Sequence, residues 1–479
     1  MSEEFDVVVI GAGPAGEVAA GRLGEAGLRV AIVEEHLIGG ECSYYACMPS
    51  KALLRPAELL AEVERVPGAR EAVTGTLDVA AVLARRDQVI HDLDDSVQLP
   101  WLEQRHVTVV RGRGRLEGER RIRVGERTLE ARQAVIVATG SGAAVPPIPG
   151  LRETEHWTNR EATTAKSAPA RLVILGGGVV GVEMAQAWSS LGSQVTLVEM
   201  LPRLLAREEP FASAQVTEAL RERGVDVRTG ARAAAVRREN GEVIVTLEDG
   251  EDVRGDELLV AVGRYPLTGD LGLETVGLEP GRPIEVDGSM RALGSDWLYA
   301  IGDVNGRVLL THMGKYQARV AADRILGKNV RVSEPAHGLL SPRVVFSDPQ
   351  VAAVGHTLES AEQAGLRVRA VDQSTSGNAG GSFYGRNATG TARLIVDEDR
   401  RVLVGATFTG AEVAEFVHAA TIAIVGRVMI DDLWHAVPSF PTRSEVWLRL
   451  LETYEAEELN DAGPRVPVRP RSSPLAQTR

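Results

Sequence analysis

Cys42 and Cys47 are the only two cysteines in 479 residues, and four residues separate them. A disulfide across so short a loop removes little unfolded-state entropy, so it makes a poor staple. It can open and close without unfolding anything, which suits a redox-active pair. Spacing alone leaves two other readings open: buried thiols acting as small apolar residues, or half of a metal site. Metal sites usually draw three or four ligands from tight Cys/His clusters. The sequence holds no second cluster, so no metal is expected.

What lies on either side of the pair narrows the chemistry. Phe5 to Ile10 is a continuous apolar run, the pattern of a parallel strand buried on both faces. Gly11-Ala12-Gly13-Pro14-Ala15-Gly16 follows, then an alanine-rich helix from Glu17 to Ala26 and a strand from Leu28 to Val33 ending at Glu34. This is a Rossmann pattern. Gly11 makes the tight turn, Gly13 lets a pyrophosphate approach, Gly16 lets helix and strand pack, and the helix N-terminus faces the phosphates. Glu34 is placed to accept from ribose hydroxyls.

The signal repeats. Arg171 to Leu175 is a strand, Gly176-Gly177-Gly178-Val179-Val180-Gly181 the turn, Glu183 to Leu191 a helix, and Ser193 to Val198 a strand ending at Glu199. Here Gly176, Gly178 and Gly181 take the three glycine roles. Two fingerprints imply two dinucleotides, most economically a hydride donor and the flavin that receives it. Glu199 stands where the 2′-phosphate of NADP would lie, so its charge favours NAD. Arg203 and Arg207, just downstream, read as exposed.

A chain of this length suggests about three domains. Hydrophobic content of 44%, 50 glycines and only 4% aromatics fit an α/β enzyme rich in tight turns. A net charge of -13 argues against a nucleic-acid surface and against polybasic membrane attachment. No apolar run is long enough to span a bilayer, and Met1 to Glu4 lead straight into a strand. The expectation is a soluble cytoplasmic protein, whose reducing surroundings suit a catalytic disulfide.

Between the fingerprints, Ser50 to Val66 reads as a helix carrying Lys51. Asp78 to Gln104 reads as one long helix broken near Pro100, with Arg85-Arg86 and Asp94-Asp95 on its solvated face. Val107 to Thr128 reads as a small meander, Ala134 to Gly140 as a buried strand with a sharp end, and Val145 to Gly150 as a stiff connector. His91 and His106 read as surface or packing histidines.

With both glycine turns and the cysteine pair in view, the chain resembles the flavoprotein disulfide reductases, the dihydrolipoamide dehydrogenases most closely, from about Phe5 to Tyr454. The most specific features are Gly39-Gly40 before the cysteines, Pro49-Ser50-Lys51, and Val182-Glu183 after the second glycine turn. Leu298 to Asp303 looks like the second FAD segment, Val260 to Arg264 with Pro266 like the end of the NAD domain, and Pro342 to Phe346 with Asp348-Pro349 like the start of the interface domain.

The resemblance implies an α/β fold of two Rossmann-like dinucleotide-binding domains plus a C-terminal α+β dimerisation domain. Residues 1–149 would be the first part of the FAD domain, 150–270 the NAD domain, 271–339 the second FAD part, 340–455 the interface domain, and 456–479 a disordered tail. It implies FAD and NAD(H) as cofactors, with Thr139, Gly140 and Gly263 among the cofactor contacts and Asp303 on the ribitol chain. Cys47 would be the charge-transfer thiol beside the flavin and Cys42 the interchange thiol. Lys51 would lie at the flavin edge, paired with Glu183. A buried ammonium there needs a counter-charge and favours thiolate. The resemblance also implies a homodimer in which the Phe440 segment of one subunit faces the cysteines of the other.

The sequence departs from that family at one telling place. Disulfide reductases of this kind carry a histidine before a Pro-Thr step, and a glutamate five positions later. Here Pro441-Thr442 and Ser444-Glu445 are present, but the histidine position is Phe440. Phenylalanine carries no proton, and a lost general acid costs about 10²–10⁴ in rate. His435 lies in the wrong register to replace it, and His312 reads as lining the flavin pocket. Hydride transfer to FAD and electron transfer to the disulfide need no such acid. The expectation is an intact reductive half-reaction and an altered oxidative one. A similar phenylalanine occurs in the relative that cleaves 2-ketopropyl-coenzyme M, although that relative lacks the following glutamate. The extra C-terminal cysteines of mercuric reductases are absent. Glu41 stands where the family usually has threonine. Tyr44-Tyr45 replace smaller residues, either narrowing the substrate mouth or simply packing.

Overall fold

The first apolar run forms β1 (Ser2–Ile10), followed by α1 (Pro14–Glu25) and β2 (Val30–Glu34). This computed structural model describes residues 2–461 apart from Arg386, Asn387 and Thr389. Val7, Val8 and Val9 are fully buried, as a strand covered on both faces requires. The helix α2 (Cys47–Arg65) leaves this layer, and the chain returns as β3 (Val107–Arg111) on the outer edge of β2. The long strand β4 (Arg127–Val137) then has three partners, and it runs parallel beside β1 over most of its length. Its first half pairs antiparallel with Arg121–Val124, and Val135 to Val137 pair parallel with Leu298–Ala300. The chain therefore rejoins its first sheet only after the second domain is complete.

That second domain repeats the plan. The strands β5 (Arg171–Leu175) and β6 (Gln194–Glu199), joined by α3 (Val179–Ser190), form a parallel sheet with Asp226–Thr229 and Glu257–Val260, beside a three-stranded antiparallel sheet. Entry and exit strands, Ser141–Ala143 and Arg264–Pro266, pair antiparallel and tie the two nucleotide domains together. After α4 (Thr311–Ile325), a five-stranded antiparallel sheet packs against Val417–Gly426 and α5 (Val446–Asp461).

Several expectations need correction. The helix α2 begins at Cys47, not Ser50, because proline is tolerated in a helix's first turn, where its missing N–H has no partner to lose. The long helix expected over 78–104 is not continuous. Val79–Val89 ends where His91, Asp92 and Leu93 take positive φ, and a separate helix covers Leu99–Glu103. Nor are its charges all solvated. Arg86 is fully buried and donates to the carbonyls of Thr163 and Ala165. Asp95 accepts from Ile38 N–H and from Arg111. Val107–Arg111 belongs to the parallel sheet rather than to the meander. The tail expected from 456 starts as helix: α5 runs to Asp461, held by Arg401 on Glu458 at 2.6 Å and Arg369 on Asp461 at 2.6 Å. The remainder of that tail lies outside the described residues.

Candidate functional site

The two glycine turns are built alike. Gly11 (φ +103°) and Gly176 (φ +109°) turn the chain where a Cβ would lie 2.5 Å and 2.4 Å from the carbonyls of Ala138 and Ala261. At Gly16 and Gly181 a Cβ would come within 1.9 Å and 1.8 Å of the Gly11 and Gly176 carbonyls, so these glycines let helix meet strand. Gly13 and Gly178 have nothing within 4 Å, which leaves open space at each helix N-terminus. Glu34 accepts from Ala12 N–H at 2.7 Å, and Glu199 from Gly177 N–H at 2.5 Å. In each copy a carboxylate closes one side of an open cradle.

The domain connectors complete the first cradle. Gly140 and Gly263 both have positive φ and open space beside them, and Thr139 Oγ1 donates to the Leu267 carbonyl at 2.9 Å. Asp303 accepts from Ser141 Oγ at 2.5 Å, and Arg264 donates to the same hydroxyl at 2.7 Å. Burial pushes the Asp303 carboxyl up, against Ser141 and Arg264. Beneath it, Gln317 accepts from Gly302 N–H and from Asn305, and its amide lies 3.1 Å from buried His337. Ser141 and Gln317 carry no motif of their own, which is why the sequence did not single them out.

Cys42 sits in a short helical turn, Gly40–Tyr44, and Cys47 opens α2, so both thiols lie beside a helix N-terminus. Neither is bridged. Cys47 Sγ lies 3.4 Å from Thr311 Oγ1, at the start of α4. A hydrogen bond from the Cys42 thiol, helped by Thr311 and the Lys51 charge, holds Cys47 below the ordinary thiol range against the cost of burial. The same bond, together with burial, pushes Cys42 up. Of the two thiols, Cys47 is therefore the more readily ionised.

Lys51, one turn into α2, donates to Glu183 Oε2 at 2.8 Å. Glu183 is buried in α3, and its other oxygen accepts from Phe346 N–H at 3.0 Å. The Phe346 ring lies under the ammonium, 4.6 Å from Nζ. First domain, second domain and interface domain thus meet at one charge pair. Asp348 marks the same junction: it accepts from Arg65 and Arg223, and its N–H donates to Gln186.

The cysteine loop's departures also find partners. Glu41 accepts from Asn159 at 2.8 Å and from Arg160 at 2.5 Å. Tyr45 carries the Arg160 guanidinium 4.8 Å above its ring, and its carbonyl accepts from Asn159. Tyr44 is buried. These residues pack the loop onto the second domain. His312 Nε2 lies 2.9 Å from the Pro342 carbonyl. His435 is exposed.

Phe440 is 76% exposed, in the turn that precedes Pro441. Glu445 is buried and accepts from Arg449 at 2.6 Å. Among the described residues no group of three or more metal-ligating side chains occurs, and no helix is long and apolar enough to cross a membrane.

A family model described as pyridine nucleotide-disulphide oxidoreductase matches residues 5–321, and one described as that family's dimerisation domain matches 341–450. Dihydrolipoyl dehydrogenase of Thermus scotoductus is 34% identical over 461 residues, 94% of this chain and 97% of that protein. Mercuric reductase of Shigella flexneri is 33% identical, over 90% of this chain and 78% of that protein. Among solved structures, the HOCl-induced flavoprotein disulfide reductase RclA of Escherichia coli superimposes with a TM-score of 0.82 at 26% identity, covering 93% of this chain and 99% of that one.

Proposed function

Because the chain belongs to the pyridine nucleotide-disulphide oxidoreductase family, we propose that it moves two electrons from NADH through FAD to a Cys42–Cys47 disulfide, and then to an acceptor that needs no imidazole acid. FAD and a pyridine nucleotide are typical of the family, and the open cradles at Gly13 and Gly178 leave room for two dinucleotide pyrophosphates. Bound FAD would supply hydride acceptance and two-electron delivery to sulfur. The residues do the rest. Lys51 offers positive charge, Glu183 balances and orients it, and Thr311 and Lys51 favour thiolate at Cys47. In the reductive half of each cycle, NADH and the disulfide give NAD⁺, one thiol and one thiolate.

NADH is favoured over NADPH by Glu199, whose carboxylate stands at the end of β6, and by Arg203, whose guanidinium donates to the Glu208 and Ala206 carbonyls rather than to open space.

One observation carries the choice of acceptor. Phe440 precedes Pro441-Thr442 with no titratable group in its side chain, while Glu445 is bound to Arg449. A dimer built through the residue 341–450 domain would bring that ring to the cysteines of the other subunit. The test is an acceptor screen on the purified flavoprotein with NADH and NADPH: lipoamide, glutathione disulfide, quinones and keto thioethers. Quinone or keto-thioether turnover exceeding lipoamide turnover is expected. Fast lipoamide turnover by the unmodified protein would favour the second reading, a dihydrolipoyl dehydrogenase-like enzyme that recruits another acid, which the 34% identical relative supports.

A further inference from the structure

The loop between the two thiols is gripped from outside by one side chain. Asn159 Nδ2 donates to Glu41 Oε2 at 2.8 Å and to the Tyr45 carbonyl at 2.9 Å. Glu41 immediately precedes Cys42, and Tyr45 stands just ahead of Cys47. The other end of the amide, Oδ1, accepts from Arg264 at 3.2 Å. That orientation is forced, because a guanidinium can only donate, while a carboxylate and a carbonyl can only accept. Asn159 is 7% exposed, so these bonds are what satisfies its amide. Its backbone is held as firmly. Trp157 pairs with Leu259 at the edge of the second domain's parallel sheet. Thr158 then caps the short helix Asn159–Thr164, its N–H donating to Glu161 at 2.7 Å. On the same helix, Thr163 Oγ1 lies 3.1 Å from the Tyr45 carbonyl. Arg264 in turn donates to Ser141 Oγ at 2.7 Å, and Ser141 donates to Asp303. An unbroken chain of hydrogen bonds thus runs from the cysteine loop to Asp303 of the first cradle.

We infer that Asn159 is a positioning residue that holds the Cys42–Cys47 loop ready to close while the sulfur–sulfur bond is open. The inference rests on that pair being the redox centre. With the disulfide formed, the bond itself restrains the loop. With the disulfide reduced, only non-covalent contacts do, and the Asn159 amide supplies one at each end. Loosening the loop gives freedom to the reduced form and little to the oxidised one, by the same reasoning that lets a crosslink act on the open chain. Removing the amide therefore favours the dithiol, and the pair becomes easier to reduce. Glu41 acquires a task in the redox cycle beyond packing.

The experiment equilibrates the flavoprotein with mixtures of reduced and oxidised dithiothreitol, quenches in acid, and counts free thiols by maleimide labelling and mass. Protein disulfide and dithiothreitol give protein dithiol and oxidised dithiothreitol. With only two cysteines in the chain, the label count reads the pair directly. In Asn159→Leu, which keeps the shape and loses the amide, the equilibrium constant for reduction should rise about tenfold, a potential about 30 mV higher. Asn159→Asp combined with Glu41→Gln reverses donor and acceptor, since the glutamine amide can donate to the aspartate, and leaves the net charge unchanged. That swap should bring the constant back to within about threefold of wild type, half of the shift in potential. A side chain that only packs would give no such recovery. If N159L loses its flavin, Asn159→Ser, shorter and without the amide, makes the same test. An unmoved constant in the single variants, or a swap no closer to wild type than N159L, would overturn the role of Asn159 alone. Flavin bleaching by the first equivalent of dithionite in the wild type, with no long-wavelength band, would instead overturn the redox pair itself, and this role with it.

Discussion

Glu445 accepts from Arg449 at 2.6 Å through Oε1, while its Oε2 is buried with no hydrogen-bond partner among the described residues. A buried acceptor left unmatched costs about 1–3 kcal/mol, and an imidazole donor at position 440 of the same loop is what a histidine–glutamate pair would supply. Phe440→His should therefore raise lipoamide or glutathione disulfide turnover, by tenfold or more on the scale of general-acid effects. Phe440→His combined with Arg449→Met should gain further, because the carboxylate is released to orient the ring. Steady-state rates with NADH check both. No gain in either variant would show that pocket shape, not the missing proton, excludes those disulfides.

Glutamine at position 183 separates charge from hydrogen bonding. Glu183→Gln keeps an oxygen for Phe346 N–H and removes the counter-charge of Lys51, so flavin bleaching by NADH should slow by roughly tenfold with little change in thermal midpoint. Glu183→Ala loses both contacts and should also lower the midpoint. Stopped-flow absorbance and calorimetry read the two effects. Equal midpoints for Gln and Ala would mean that the Phe346 contact is idle.

The glycines of one turn should fail in different ways. Gly13→Ala adds a methyl to open space, so the chain should fold with native far-ultraviolet dichroism but retain less flavin. Gly16→Ala would place its methyl 1.9 Å from the Gly11 carbonyl and should destabilise α1 on β1. Soluble expression and the ratio of flavin to protein absorbance distinguish them.

Glu17 gives a pH signature. Burial raises its folded-state pKa from 4.5 to about 7, so its contribution favours folding at low pH and is lost as pH rises between those values. Glu17→Gln should raise the thermal midpoint above pH 7, by a few degrees for about 1–3 kcal/mol, and leave it unchanged near pH 4.5. A uniform rise at both pH values would point to packing rather than ionisation.

The parts of the fold that announced themselves were local. Alternation of apolar runs with glycine turns specifies both Rossmann units, because Gly11 and Gly176 occupy positions that a Cβ would block. Cys42, Cys47 and Lys51 were legible for the same reason, all lying within one short stretch. What stayed hidden depends on partners distant in the chain. Arg86 looks solvated until Thr163 and Ala165 present their carbonyls, and Asp95 until Ile38 and Arg111 reach it. Thr311 and Ser141 carry no spacing that marks them, yet they hold Cys47 and Asp303. The tail expected from 456 begins as helix because that polar end is anchored by Arg401 and Arg369 from the sheet rather than by an apolar face.

The most direct measurement is an anaerobic titration of the oxidised flavoprotein with dithionite, followed by absorbance from 400 to about 700 nm. If the two electrons come to rest on Cys42 and Cys47, the first equivalent should leave the flavin oxidised and bring up a long-wavelength band, which Cys47→Ser should abolish. Simple bleaching of the flavin by that first equivalent, with no band, would contradict it.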